Sequence, residues 1–340
     1  MADTRHDDEH ERQMMLADLG AIFGTRLKPR EPLSRHGTFG VGGPADAFVT
    51  LTREDELLRL ARLAREHNWP LMLVGNGTNV LYADAGAQGI VARMALNDWH
   101  VEGAESERPL LVAGAGVSLP KLANDLAERG LAGFEWSAGV PGTIGGAVVS
   151  NAGAHGECVA DILVTARVLF AGPDEPEPVV RALDAAELEM GYRHSRFRAG
   201  RRVVFGDDGV PVAAPRAAVE PPEMITGATF QLRHDDPAAV RARVERNKRH
   251  RRETQPPQPS AGSVFKNPNG TYSGKLIEEA GLKGTRAGGA EISTRHANFI
   301  VNTGGATAAD VVALIAQARR TVRERFDIEL ELEVELRGDW

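Results

Sequence analysis

Residues 139–156 read Gly-Val-Pro-Gly-Thr-Ile-Gly-Gly-Ala-Val-Val-Ser-Asn-Ala-Gly-Ala-His-Gly, the densest glycine segment of the chain. It is almost free of charge and shows neither a helical nor a two-residue apolar period, so it reads as neither a plain helix nor a plain strand. A companion lies upstream. There the apolar run Leu71-Met72-Leu73-Val74 reads as a buried strand that delivers the chain into Gly75-Asn76-Gly77-Thr78-Asn79-Val80-Leu81. Glycine lets a ligand approach backbone N–H groups closely, and Thr78, Asn79, Thr143 and Asn151 add polar side chains. Loops of this kind can cradle a pyrophosphate without a lysine. A single glycine turn is commonly no more than a tight connection, but two long ones in one chain favour a nucleotide site. The two common nucleotide motifs fail. Val80 stands where a dinucleotide fingerprint needs its third glycine, and Gly270-Thr271-Tyr272-Ser273-Gly274-Lys275-Leu276 is one residue short of a P-loop and ends in leucine.

Outward from these loops, Thr52 with Asp55 signals the start of a helix whose apolar stripe is Leu57, Leu60, Ala61 and Ala64. A strand over 110–113 runs through Gly114-Ala115-Gly116 to Ser118, the expected cap of a helix ending at Gly130. Strand-like alternation covers 162–170. Pro173, Pro176 and Pro178 then mark a surface loop, and a further strand is expected over 228–232, after the break at Pro221-Pro222. The run 241–252, RARVERNKRHRR, reads as a basic helix leading into Gln255-Pro256-Pro257-Gln258-Pro259. Its charges are expected mainly on a solvated face, with a hold on diphosphates as the second possibility. Thr307 and Asp310 cap a last helix reaching about Phe326, and 328–336 alternate as a strand that puts Glu329, Glu331, Glu333 and Glu335 on one face. Such a face is either a solvated edge or, turned into a cleft, a row of carboxylates that raise one another's pKa. Residues 1–30 are charged, and Met14, Leu16, Leu19, Ile22 and Phe23 suggest one or two amphipathic turns in an N-terminal extension.

Composition narrows the function. The 340 residues carry 40 basic and 47 acidic side chains, a net charge of −7, so the chain as a whole does not attract nucleic acid or anionic lipid. No run approaches the roughly 18 apolar residues of a membrane span, and the start MADTRHDDEHER lacks a signal peptide's apolar core, so a cytoplasmic enzyme is expected. The single cysteine, Cys158, excludes an internal disulfide framework and a cysteine-based metal cluster, and no metal is expected.

Five motifs in order resemble one family. They are Thr38-Phe39-Gly40-Val41-Gly42-Gly43-Pro44-Ala45, the loop 75–81, the segment 139–156, Gly191-Tyr192-Arg193-His194-Ser195, and Ser260-Ala261-Gly262-Ser263-Val264-Phe265-Lys266-Asn267-Pro268. Together, over roughly residues 33–340, the chain resembles the UDP-N-acetylenolpyruvoylglucosamine reductases, flavoenzymes that make UDP-N-acetylmuramate for peptidoglycan. The resemblance implies an α+β chain with a bipartite FAD-binding fold of the vanillyl-alcohol-oxidase type and an α+β substrate-binding C-terminal domain. It divides the chain into the extension 1–30, FAD-binding subdomains at 31–100 and 101–232, and a substrate domain at 233–340. Non-covalent FAD would be held by Gly75, Asn76, Gly77, Thr78, Asn79 and Val80 from the first loop. The second would contribute Pro141, Gly142, Thr143, Gly145, Gly146, Asn151, Ala152 and Gly153. NADPH would donate the hydride. No covalent flavin link to His36 is implied.

The resemblance also assigns chemistry. Ser263, in the GSxFKNP motif, would deliver the proton, while Arg193 and Glu333 would stabilise the enolate. A hydroxyl is a poor acid in water and needs such partners. By residue type alone, Arg193 would be taken for a surface ion pair. Glu333 lies in a departure from the family pattern, with Leu332 before the Glu333-Val334 pair and Glu335 after it. Lys266 and Asn267 resemble substrate-binding residues. The tyrosines are Tyr82, Tyr192 and Tyr272, so none lies between Arg193 and Ser263, as in the family's shorter, type II form. Two alternatives stand beside this one. An FAD oxidase of alcohols would need a base rather than a serine acid, and a non-catalytic nucleotide-binding scaffold would show no flavin that NADPH bleaches.

Overall fold

The computed structural model describes residues 3–199, 204–206, 211–212 and 219–340. Parts of the expected 1–30 and 101–232 segments therefore lie outside the described residues. Two five-stranded sheets carry the N-terminal two thirds. In the first, the order is Lys28–Pro32, Pro44–Leu51, Ala87–Met94, Leu71–Val74, Val219–Glu220. Its first pair is antiparallel and the rest parallel. The parallel strands need a crossover, which the helix Glu54–Glu66 supplies, burying Leu57, Leu60, Ala61 and Ala64 as its stripe predicts. The second sheet is antiparallel throughout, in the order Val179–Asp184, Leu163–Phe170, Glu223–Gln231, Leu110–Gly114, Trp99–Glu102. A three-stranded sheet, Arg286–Ala287, Ala290–Ile292 and Ile300–Asn302, lies near the C-terminus, with the helix Ala308–Phe326 packed on it.

One core unites both large sheets, and a second forms around Ala308–Phe326 with Phe265, Ile292 and Leu330. The boundary between them is crossed by the chain. Phe39, Val41 and Leu81 belong to the C-terminal core, and the strand Glu335–Arg337 pairs in parallel with Val80–Tyr82. The basic helix Pro237–Thr254 buries Val240 and Val244 against Ala123, Ala127, Ala132 and Ala138. Among the described residues no helix is long and apolar enough to cross a membrane.

Several local expectations change. Residues Asp3–Phe23 form a 21-residue helix rather than one or two turns, because Met15, Leu19 and Phe23 find the main core. The second glycine segment contains the short helix Ile144–Ser150, which has no apolar period because it is buried on most sides. The strand expected at 228–232 begins at Glu223. Glu56, not Asp55, closes the cap of Glu54–Glu66, accepting from the N–H groups of Thr52 and Arg53. Ser118 is the N-cap residue of Leu119–Glu128 without a side-chain bond.

The stretch 328–336 departs furthest from expectation. Only Glu335–Arg337 is strand, with an isolated bridge from Phe265 to Leu332. The four glutamates diverge to four partners: Glu329 to Arg319, Glu331 to Lys266, Glu333 to Arg193 and Glu335 to Arg337. Alternation alone cannot distinguish a strand from an extended segment tethered by side chains.

Candidate functional site

The two glycine loops meet. A Cβ on Gly75 would stand 2.9 Å from the Thr143 hydroxyl, so glycine is what permits the contact. Gly77 has φ +60°, and a Cβ there would lie 2.0 Å from the His36 carbonyl oxygen. Its own carbonyl accepts from Thr38 N at 3.1 Å, fixing the loop to the chain before the first sheet. Thr143 caps Ile144–Ser150 by accepting from Gly146 N. A Cβ on Gly146 would meet nothing nearer than that hydroxyl, at 3.7 Å, which leaves the cleft floor open.

Of the residues expected at the cofactor, Gly75 to Val80, Pro141, Gly142, Thr143, Gly146, Ala152 and Gly153 all line one cleft. Gly145 and Asn151 do not. Gly145 is pressed on Ala115, and Asn151 is a left-handed helix cap that donates to the Gly191 carbonyl and accepts from Ala160 N. Both shape the loop from behind. The backbone N–H groups of Asn76, Gly77 and Thr78 donate to no protein acceptor among the described residues. Open donors over a floor of small residues fit a pyrophosphate, and so fit FAD.

The other wall carries reactive groups. Arg193, Ser263 and Glu333 line the same cleft. Arg193 sits at φ +52° in a turn bridged between Gly191 and His194. Its Nε donates to Glu333 Oε1 at 2.6 Å and its Nη2 to the Gly153 carbonyl at 2.9 Å, tying the guanidinium to the second glycine segment. Side-chain exposures of 22% and 17% make this a half-buried pair, in which the attraction is stronger than on an open surface. The Glu333 backbone is held on both sides: its N–H donates to Val264 O, and its carbonyl accepts from Asn79 Nδ2 and Arg198 Nη2. The nearest charge to Glu333 is thus a cation, not the row of carboxylates that a regular strand would supply. Ser263 follows Gly262, which has φ +78°, and its hydroxyl makes no hydrogen bond with any described residue.

Lys266 and Asn267 are not among the lining residues. Lys266 Nζ pairs with Glu331 at 2.6 Å, while Asn267 Oδ1 accepts from Ser273 N and its N–H donates to the Tyr192 hydroxyl. His36 pairs with Glu31 at 2.9 Å and stacks on Phe48. The structure adds lining residues that the sequence did not single out, among them Arg251, Gln255, Phe299 and Arg337, and of the other glutamates in the alternating run it brings Glu335 to the cleft beside Glu333. Arg251 lay within the basic run, where charge density gave no means of choosing it over its neighbours. Phe299 had no local signal at all.

Comparison with known proteins completes the site. A family model for an FAD binding domain matches residues 45–172, and one for the UDP-N-acetylenolpyruvoylglucosamine reductase C-terminal domain matches residues 255–337. A UDP-N-acetylenolpyruvoylglucosamine reductase of Chloroflexus aggregans is 43% identical over 310 residues, covering 91% of this chain and 96% of the relative. One from Halalkalibacterium halodurans is 38% identical over 328 residues, 96% of this chain and 99% of the relative. The crystal structure of the Thermus caldophilus enzyme superposes with a TM-score of 0.70 at 34% identity, covering 92% of this chain and 98% of that one. The α+β flavin-binding fold of the vanillyl-alcohol-oxidase type is thereby borne out, with FAD as its cofactor. From the glycine cleft, the two matched domains and relatives aligned over nearly the whole chain, this protein belongs to the UDP-N-acetylenolpyruvoylglucosamine reductase family of oxidoreductases.

Proposed function

We propose that this chain reduces the enolpyruvyl ether of UDP-N-acetylenolpyruvoylglucosamine to UDP-N-acetylmuramate, a peptidoglycan precursor, in the cytoplasm and at the expense of NADPH. The observation that carries this is the convergence of Arg193, Ser263 and Glu333 on the cleft that both glycine loops line. The loops Gly75 to Val80 and Pro141 to Gly153 would hold FAD, which when bound would supply the hydride transfer from NADPH to the vinyl carbon of the substrate. The protein's residues do the rest. Ser263 Oγ, uncommitted among the described residues, holds the proton for the adjacent carbon. Arg193 uses Nε and Nη2 within the protein, which leaves Nη1 to meet the developing enolate, and Glu333 fixes the guanidinium's plane. The segments 31–100 and 101–232 would hold the cofactor and 233–340 the substrate. Lys266 and Asn267 would take the outer, sugar-nucleotide end. The Lys266–Glu331 pair is no obstacle, since Glu331 is 66% exposed and such surface pairs are worth only about 0–1 kcal/mol.

The test is anaerobic. Adding NADPH to the flavin-loaded protein should bleach the flavin, and adding the enolpyruvyl substrate should restore its colour with formation of UDP-N-acetylmuramate. Bleaching without recovery would sink this reading, and bleaching by an alcohol with recovery in oxygen would replace it with the oxidase.

A further inference from the structure

We propose that Asn298 is a positioning residue for proton delivery: buried behind the cleft, it clamps the two residues after Ser263 and so keeps the serine in register with Glu333. The proposal rests on the function above, which gives Ser263 the proton.

Ser263 does little to fix itself. Its hydroxyl bonds to no described residue, and Gly262 before it has φ +78° with open space where a Cβ would stand. Its place is set by the residues that follow. Asn298, only 3% exposed, makes three bonds to them. Its backbone carbonyl accepts from Val264 N at 2.8 Å, its Oδ1 accepts from Phe265 N at 2.9 Å, and its Nδ2 donates to the Phe265 carbonyl at 2.8 Å. One side-chain amide thus meets both the donor and the acceptor of Phe265, as a residue on a neighbouring antiparallel strand would.

The opposite edge of the same segment faces residues 331–334. The Val264 carbonyl accepts from Glu333 N at 2.8 Å, Lys266 N donates to the Glu331 carbonyl at 2.8 Å, and Phe265 bridges Leu332. Val264 is therefore the joint: its N–H is held by Asn298, and its carbonyl holds the backbone of Glu333. The clamp is itself anchored in a tight turn. Ser293 N donates to the Phe299 carbonyl at 2.8 Å, Phe299 N to the His296 carbonyl at 3.0 Å, and Asn298 N to His296 Nδ1 at 3.3 Å. Phe299 lines the cleft and Asn298 does not, so Asn298 acts on the chemistry only through the segment it holds. Without the amide, the N–H and carbonyl of Phe265 would be left buried and unpaired, and the segment would have to shift to satisfy them.

Asn298→Ala should leave flavin content and flavin reduction by NADPH nearly intact, because Asn298 lies outside the lining of the cleft. Reoxidation by the enolpyruvyl substrate should slow about 10-fold or more, in kcat rather than KM, as expected when a reacting group is displaced by a fraction of an ångström to about 1 Å. In the Ser263→Ala background the same substitution should slow reoxidation by less than about 2-fold, since the hydroxyl it positions is gone, whereas independent losses would multiply. Stopped-flow absorbance measures each half-reaction in the single and double variants. Asn298→Asp keeps the side chain's size and the acceptor for Phe265 N–H, and replaces the Ala variant if that one does not fold; it should show the same selective defect. Unchanged reoxidation, equal slowing of both half-reactions, or losses that multiply in the double variant would overturn the proposal, the last two by making Asn298 a support of the fold; so would failure of both variants to fold. Those outcomes leave the function above standing. An unaltered protein that the substrate does not reoxidise, or a Ser263→Ala variant that keeps full speed, fails that function instead, and the proposal falls with it.

Discussion

At the residue scale, the proposed proton donor, Ser263, should separate the two halves of the proposed reaction. Ser263→Ala removes a hydroxyl that no described neighbour uses, so flavin binding and reduction by NADPH should stay nearly intact. Reoxidation by the enolpyruvyl substrate should slow about 100-fold or more, the usual weight of a positioned general acid. Stopped-flow absorbance of each half-reaction measures this, and equal slowing of both would make Ser263 a turn residue. Glu333→Gln should show the same selective defect, because an amide keeps the shape but not the charge that holds Arg193. Glu331→Gln is the control: Glu331 stands on the surface against Lys266, outside the cleft, and should leave both half-reactions largely intact.

At the element scale, three substitutions probe how the loops and helices are held. Gly146→Val points a side chain into the open floor of the cleft, where its Cβ meets only Thr143 Oγ1 at 3.7 Å. The protein should fold with a nearly unchanged Tm yet purify colourless, and full flavin content would refute the cofactor's placement. In the N-terminal helix, Leu19 is wholly buried, so Leu19→Ala should cost about 2–5 kcal/mol by chemical denaturation. A change within 0.5 kcal/mol, the scale of an ordinary surface site, would mean that the helix does not pack as described. The cap of Glu54–Glu66 sets an acid limit. The Arg26 guanidinium, bonded to Glu56 at 2.7 Å, lowers that carboxyl from 4.5 to about 2, with help from the N–H groups of Thr52 and Arg53. A depressed folded-state pKa gives stability that is complete above the unfolded value and is lost as pH falls from about 4.5 towards 2. Glu56→Gln should therefore lose on the order of 2–3 kcal/mol at neutral pH, and the gap from the unaltered protein should close as the solution is acidified through that window.

At the scale of the whole molecule, the cleft is built by distant segments, and its shared lining has a kinetic consequence. The lining runs from Leu73 to Arg337, and under the proposed function nucleotide and substrate both reach the flavin along these walls. High concentrations of the enolpyruvyl substrate should inhibit competitively against NADPH. Initial-rate kinetics would show it, and a stable complex with both ligands beside the flavin would contradict it.

What was legible in the sequence is local or stereochemical. The glycine turn was readable because Gly77, at φ +60° and against the His36 carbonyl, has no room for a side chain, and the Thr307–Asp310 capping box marked the start of its helix because a cap is a matter of four consecutive residues. The apolar stripe of Glu54–Glu66 is likewise written in spacing. Burial that depends on distant chain was not legible. Nothing within residues 1–30 says that Leu19 will meet a core, and nothing within 328–336 says that each glutamate will find a different arginine or lysine and so hold the segment out of a regular strand. The motif type could nominate Arg193 and Glu333 separately, but only the tertiary structure brought them to 2.6 Å across 140 residues of chain. It also put Arg251, out of a run of like charges, on the lining of the cleft with its Nε bonded to the Gly139 carbonyl, because which side chain of a basic run arrives there is decided by packing in three dimensions.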